Sequence, residues 1–504
     1  MGRGSGTPRR VAGNRTGVTS MAASPRQPRR VTAHEFAAVL GRWQGGPGEL
    51  YRQLADRIRL AIQQGDLRAN SPVPPQRELA QALSVSRSTL AAALQILSRE
   101  GFVEARRGSG TVVRDPSAPF DGLSWTNVLG MMPVFRQPDG PDDGVINLAA
   151  AGLDPHPALW ESWTKVIRDA PQTWADAHGY VPAGLPALRA VIARQVSERG
   201  LPTEPGQILI TAGAQQAVFL AACAWLSTGD TVLAETPLYA GALEALRSLG
   251  ARVVHVPNDT VGPRPEEIER LTHQYRARFL FLSATCSNPS GRTLPARRRQ
   301  EIAAACRRAN LLLMEDAAQQ HLLLAGEPDP GYLAQYCRPH QSVVVGSLSK
   351  LLWGGLRLGW LRADTPVIRN LTRLKGAIDL GSPVLLQEVA ARALVDFGSE
   401  LERDRRTQLS VAHDLAVTAL RELIPQWRVA PCSGGLTVWV QLPQANAAEF
   451  ASVAMRHGVS VIPGDMFAYD GGYQDRLRIS FAATAPRLRL GIERLAAAWR
   501  SLPR

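Results

Sequence analysis

Lys350 is one of three lysines in a chain of 504 residues whose Lys and Arg together number 57. It closes the segment Val344-Val345-Gly346-Ser347-Leu348-Ser349-Lys350, and Arg357 follows seven residues on. A chain that writes nearly all its positive charge as Arg has little use for Lys as a generic solvated cation. Arginine cannot replace a lysine whose amine must form a Schiff base, because the guanidinium stays protonated and is not nucleophilic. Ser347, Ser349 and Arg357 are the kinds of group that hold a phosphate beside such an amine. The apolar run reads as a strand and the Ser-Leu-Ser-Lys stretch as the loop at its end. A solvated lysine after a buried strand is the plain alternative.

The elements needed around that amine occur upstream, in order. Gln207 to Ile210 reads as a strand, followed by Gly213 and Ala214 at the start of an apolar helix. Small residues there leave backbone N–H groups open to an anion. Strand 231–234 leads to Tyr239, which could stack on a planar ring or be an ordinary loop tyrosine. Strand 279–282 leads to Ser287-Asn288-Pro289-Ser290-Gly291, where Asn288 can donate to a phenolate oxygen. Leu311 to Asp316 ends a buried-looking strand on a carboxylate pair, the place where open α/β sheets put ligand chemistry. A carboxylate there keeps a pyridine nitrogen protonated, so that the ring works as an electron sink.

Gly213, Tyr239, Asn288, Asp316, Lys350 and Arg357 resemble, in order and approximate spacing, the aspartate-aminotransferase (fold type I) family of pyridoxal 5'-phosphate (PLP) enzymes, over roughly residues 145 to 500. The resemblance implies a large α/β domain with a smaller C-terminal α/β subdomain. It implies Lys350 as the Schiff-base lysine, Asp316 on the pyridine nitrogen, Asn288 on the ring hydroxyl and Tyr239 stacked on the ring. Gly213, Ala214, Ser347 and Arg357 would hold the phosphate. The segment His178 to Gly184 is similar to the family stretch whose tyrosine, here Tyr180, reaches across a dimer interface. Arg478 matches the family arginine that grips a substrate α-carboxylate, with Arg476 the less favoured choice. One departure stands out: relatives carry a tyrosine two or three residues after the aspartate, and here those positions are Ala318 and Gln319. That puts efficient turnover in doubt while leaving PLP binding expected.

Residues 47–114 read as a different module. Leu50, Leu54, Ile58 and Ile62 recur at four-residue steps, an amphipathic helix. A second helix spans Gln76 to Leu83, and a tight turn offers Ser86 as N-cap of a third helix running to about Arg99. Two short strands follow around the basic Arg106-Arg107-Gly108-Ser109. Helix, turn, helix and basic hairpin is winged-helix geometry, in which the helix after the turn enters the DNA major groove. A plain helical bundle is the alternative. The stretches LYRQLADRIRLAIQQGDL and PPQRELAQALSVSRSTLAAALQILSREGFVEARRGSGTVV closely resemble the GntR winged-helix family. That resemblance implies DNA contacts at Arg77, Ser86, Arg87, Thr89, Arg107 and Gly108, with Arg87 reading a guanine edge. GntR joined to an aminotransferase-like domain resembles the MocR subfamily of bacterial transcription regulators. It implies a cytoplasmic homodimer that binds operator DNA and senses PLP or an amino acid. A working aminotransferase with a vestigial DNA-binding arm is the alternative.

Charge agrees with a polyanion partner. Of the formal net charge of +13, the first 115 residues carry +10. Residues 1–46 are expected to be a disordered basic tail and lead-in, residues 115–144 a Pro-rich linker, and residues 145–504 the PLP-binding domain. Met21 is a second candidate start. The Arg-rich, acid-free leader resembles an organelle transit peptide, a reading the GntR module opposes. Five scattered cysteines and nine histidines show no metal-ligand spacing, and no apolar run approaches membrane-spanning length.

Overall fold

The computed structural model describes residues 32–41, 43–44, 49–63, 66–68, 71–99, 102–106, 110–114, 144–173, 178–468 and 472–502. The chain divides into two compact units, Met1–Gly122 and Leu123–Arg504.

In the first unit, helices α1 (Ala33–Leu40), α2 (Leu50–Gln63), α3 (Gln76–Ala82) and α4 (Arg87–Arg99) precede strands β1 (Val103–Arg106) and β2 (Gly110–Val113). The strands pair antiparallel, Val103 opposite Val113. Leu54, Ile58 and Ile62 of α2 meet Leu79 of α3, Leu90, Leu94 and Leu97 of α4, and Val103 and Val113. Leu50, the first residue of the expected stripe, is instead 41% exposed. The lead-in expected to be disordered contains α1. Thr32 accepts the Glu35 amide at 3.2 Å while the Glu35 carboxylate accepts the Thr32 amide at 2.8 Å, a capping box that starts the helix. Phe36 and Leu40, one turn apart, then enter the core of this unit. The expected linker lies outside the described residues apart from Gly144, and the wing tip at Arg107 and Gly108 lies wholly outside them.

The second unit is built on a seven-stranded sheet of β4 (Ile208–Thr211), β5 (Thr231–Ala234), β6 (Arg252–His255), β7 (Phe279–Leu282), β8 (Leu312–Asp316), β9 (Ser342–Ser347) and β10 (Gly359–Arg362). The strand order is β4-β10-β9-β8-β7-β5-β6, with β10 antiparallel to both neighbours and the other pairs parallel. The parallel strands are apolar along nearly their whole length because helices cover both faces. A four-stranded antiparallel sheet forms the smaller subdomain, with order β11-β12-β15-β14. Its strands are β11 (Arg428–Val429), β12 (Thr437–Gln441), β14 (Ile462–Pro463) and β15 (Arg476–Ser480). This subdomain is not purely C-terminal. Strand β3 (Ile146–Asn147) pairs parallel with β13 (Val459–Ser460), and Ile146, Leu148 and Leu153 are buried in the same core as Val438, Leu477 and Ile492. Among the described residues no helix is long and apolar enough to cross a membrane.

Candidate functional site

The loops after β5, β7, β8 and β9 converge at the carboxyl ends of the parallel strands. Lys350 lies just beyond β9, and its Nζ donates to the Ala151 carbonyl at 2.7 Å. Burial, then the guanidiniums of Arg478 and Arg357, push its amine down to about 8, opposed by Asp316. Asp316 ends β8 at 8% exposure; burial pushes its carboxyl up to about 6, opposed by the Ala318 amide that donates to it at 2.9 Å and by Lys350. A lysine poised to lose its proton near neutrality beside a buried carboxylate is a chemical pair rather than a solvated surface group.

Tyr239, half-buried, has its phenol raised by burial and by Asp316 and lowered by Arg478 and Arg357, so its hydroxyl stays protonated near neutrality. Arg478 is the fourth side chain of this cluster and almost fully buried on β15. Burial pushes its guanidinium down to about 10. Its Nη1 reaches Asn288 Oδ1 at 3.4 Å, its Nη2 donates to the Ala149 carbonyl, and Phe467 lies 5.2 Å from the guanidinium carbon. Its buried Nε has no hydrogen-bond partner among the described residues. A buried guanidinium with a donor left over is suited to a ligand carboxylate. Arg476 pairs instead with its neighbour Asp475, Nε to carboxylate 3.6 Å.

The small-residue positions form a second cluster. Gly213 sits at φ +87° as N-cap of the helix Ala214–Trp225, with no side chain capping that helix. A Cβ on Gly213 would lie 2.8 Å from Arg357 Nη2, so glycine serves both the left-handed backbone and the close approach of the guanidinium. Arg357 Nη2 donates to the Ala212 carbonyl at 3.3 Å. Gly359 pairs with both Ser347 and Thr211 across the sheet, and a Cβ there would meet Ala214 N at 2.7 Å. Helix-start amides, a serine and an arginine thus share one corner, the kinds of donor an anion site uses. Tyr180 is 71% exposed on the segment 178–184. Gln319, where a tyrosine was expected, turns toward Gly435.

Sequence reasoning passed over three features. Glu235 is buried beyond β5, its carboxyl pushed up to about 7 by burial, and accepts from the Ser283 amide and from Ser287 Oγ at 3.3 Å. Lys375, fully buried, donates to Asp379 at 2.7 Å; Asp379 in turn accepts from Gln216, which accepts the Ala212 amide. The rarity argument that singled out Lys350 applies equally to Lys375 and could have found it. The third is the run Ala149–Ala151, whose contribution is carbonyl oxygens and leaves no mark in residue type.

In the first unit, Ser86 Oγ accepts the Thr89 amide at 3.0 Å and caps α4. Arg87, Ser86, Ser88 and Arg77 are exposed and Thr89 half-buried. The α3–α4 turn passes through Ser84 at φ +54°.

Comparison with known proteins joins the two halves. Residues 145–495 match the family described as aminotransferase class I and II, and residues 50–113 match the bacterial regulatory proteins of the gntR family. The uncharacterized HTH-type transcriptional regulator YdfD of Bacillus subtilis is 30% identical, covering 86% of this chain and 93% of its own. The chain belongs to the GntR regulators of MocR architecture. Within this MocR chain, the aminotransferase-like part has catalytic relatives too. A 2-aminoadipate transaminase of Thermus thermophilus is 31% identical, covering 66% of this chain and 84% of its own. The crystal structure of LysN, an alpha-aminoadipate aminotransferase of Thermus thermophilus complexed with N-(5'-phosphopyridoxyl)-L-leucine, superposes with a TM-score of 0.65 at 29% identity. It covers 71% of this chain and 92% of that one.

Proposed function

We propose that this chain is a cytoplasmic, homodimeric transcription regulator that binds operator DNA and whose aminotransferase-like unit senses PLP, an amino acid, or both through Lys350. The observation that carries the reading is the union, in one chain, of a gntR segment with a half-buried lysine whose amine is held near 8 beside Asp316 and Arg478.

The residues present fit PLP. Lys350 offers a nucleophilic amine, Asp316 a carboxylate for a ring nitrogen, Asn288 a polar partner for a ring oxygen, and Tyr239 a ring to stack against. Gly213, Ala214, Ser347 and Arg357 offer donors for a phosphate. When bound, PLP supplies an electrophilic aldehyde and an electron-withdrawing ring. The protein's part is then to bind and to discriminate. Arg478 has a spare donor for the carboxylate of an amino acid, and the exposed Tyr180 is free to reach a partner's site. In the DNA-binding module, Arg77, Ser86, Arg87 and Thr89, with Arg107 and Gly108 of the wing, would contact DNA, Arg87 on base edges and Arg77 on phosphates. A ligand that favours one of two domain arrangements would change DNA affinity by its difference in affinity for the two. The domain limits 47–114 and 145–504 remain those proposed from the sequence.

The Thermus transaminase relative favours a second reading, a turning-over aminotransferase. Against it stand Ala318 and Gln319, which bring no phenol beside Asp316. One experiment separates them: near-visible absorption during titration with PLP and then amino acids, with Lys350→Ala alongside. The expected result is a PLP band that Lys350→Ala lacks and that one amino acid shifts without turnover. Sustained conversion to the pyridoxamine form would establish the enzyme instead, and no band in the natural protein would overturn the PLP reading.

A further inference from the structure

Two cations of the site, Lys350 and Arg478, are anchored on one short piece of backbone. The Ala151 carbonyl accepts Lys350 Nζ and the Ala149 carbonyl accepts Arg478 Nη2. Lys350 follows strand β9 of the seven-stranded sheet and Arg478 lies on β15 of the four-stranded sheet, 128 positions apart in sequence. The piece of backbone that seats them is held at Leu148 by backbone bonds to Ser460 and Ser480, and beyond Leu148 by one side chain. Asn147 Oδ1 accepts the Ala149 amide at 3.0 Å and the Ala150 amide at 2.9 Å. The same oxygen accepts Ser460 Oγ at 3.0 Å, across the β3–β13 pair. Ser460 is 4% exposed, and Leu148 is fully buried beside it. One oxygen therefore receives three donors and fixes the turn against the smaller subdomain.

We infer that Asn147 is a positioning residue of the site: its side-chain oxygen holds the Ala149–Ala151 turn, and that turn sets where the Lys350 amine and the Arg478 guanidinium stand. The inference deepens the proposed function and rests on the reading of Lys350 and Arg478 as the groups that meet cofactor and amino acid. Each of these three contacts uses the Asn147 oxygen as acceptor, so an aspartate supplies the same contacts and an alanine supplies none. Losing the acceptor leaves the Ala149 and Ala150 amides without partners in a largely enclosed place, a change worth on the order of tenfold in an equilibrium constant.

The test uses the full chain as Asn147→Ala, Asn147→Asp and Ser460→Ala, read in two ways. Hydrogen exchange of the 149 and 150 amides is measured without added cofactor. Near-visible absorption during titration with PLP, then with an amino acid that shifts the natural protein's band, is measured in parallel. In Asn147→Ala we expect those amides to exchange about tenfold faster and half-response to require about tenfold more amino acid. Asn147→Asp should restore both, and Ser460→Ala, which removes one of three donors, should show a shift of less than about threefold in the same direction. Natural-type exchange and half-response in Asn147→Ala would overturn the inference, and so would an Asn147→Asp protein as impaired as the alanine variant. If Asn147→Ala does not fold, restoration by aspartate and the small shift in Ser460→Ala still decide. If the natural protein binds no PLP, the proposed function falls, and the exchange measurement alone still supports or overturns the role of Asn147.

Discussion

At the start of α4, Ser86, Arg87 and Ser88 stand in solvent, and the contacts that fix Ser86 are local, its Oγ accepting the Thr89 amide and its carbonyl accepting the Leu90 amide. Around Lys350 the reverse holds. Asp316, Arg478 and the Ala149–Ala151 turn are buried or half-buried, and the contacts that fix them span 199 positions for Lys350–Ala151 and 329 for Arg478–Ala149. A surface that reads DNA needs exposed, adaptable donors on a rigid helix, because the partner brings its own shape. A site that tunes an amine needs a dry enclosure, because the shift comes from desolvation and fixed neighbouring charge. Substitutions at the first place should therefore change binding and leave stability alone. At the second place the two effects should come together.

The largest expected effect concerns what does hold the DNA-binding unit together. Phe36 of α1 is 1% exposed and packs in one core with Leu40, Ile58 and Leu79. Phe36→Ala should destabilise that unit by about 3–5 kcal/mol, the usual cost of emptying an aromatic from a core. Thermal unfolding followed by DNA binding at each temperature would show it. An unchanged melting temperature would mean that α1 is an appendage and that the core of this unit closes without it.

Next in size is Arg87→Ala. If Arg87 reads a base edge, affinity for the cognate operator should fall by about 1–3 kcal/mol, while affinity for unrelated DNA changes little. Melting temperature and PLP absorption should both stay at the natural values. Gel-shift titrations on the operator and a scrambled duplex, beside a melting curve, check this. A loss of stability would break the contrast between the two surfaces; an equal loss on both duplexes would make Arg87 a phosphate contact.

The same contrast explains which parts were legible in the sequence. Locally encoded features were readable: the four-residue spacing of Leu54, Ile58 and Ile62, the Ser86 cap, and the strand ends that carry Asn288, Asp316 and Lys350. Family order then grouped those strand ends although they lie far apart in the chain. Features that depend on pairings between distant segments were not readable. Asn147 and Ser460 meet across 313 positions, and the Ala149 and Ala151 carbonyls are supplied by a residue type with no signature. The α1 helix was hidden for a different reason. It follows a basic, acid-free stretch whose composition masks the Thr32–Glu35 cap.

Two members of the small lysine set, driven in opposite directions, give the smallest and sharpest test. Lys165 is paired with Glu161 at 2.9 Å and Asp396 at 3.3 Å, which raise its amine above the ordinary lysine value. Lys350 is driven the other way, down to about 8, by burial and by Arg478 and Arg357. Only the unprotonated amine reacts with an acylating reagent. Labelling of Lys350 in protein without added cofactor should therefore climb about tenfold per pH unit below 8 and level off above it. Labelling of Lys165 should still be climbing at about pH 10, since its paired carboxylates favour the proton. Peptide mapping after brief acetylation from about pH 6 to 10 reads both residues in one sample. A Lys350 profile that keeps rising in parallel with Lys165 would mean that the enclosure does not hold the amine near neutrality. Capture of an aldehyde there would then lose its physical basis, even with every surrounding residue in place.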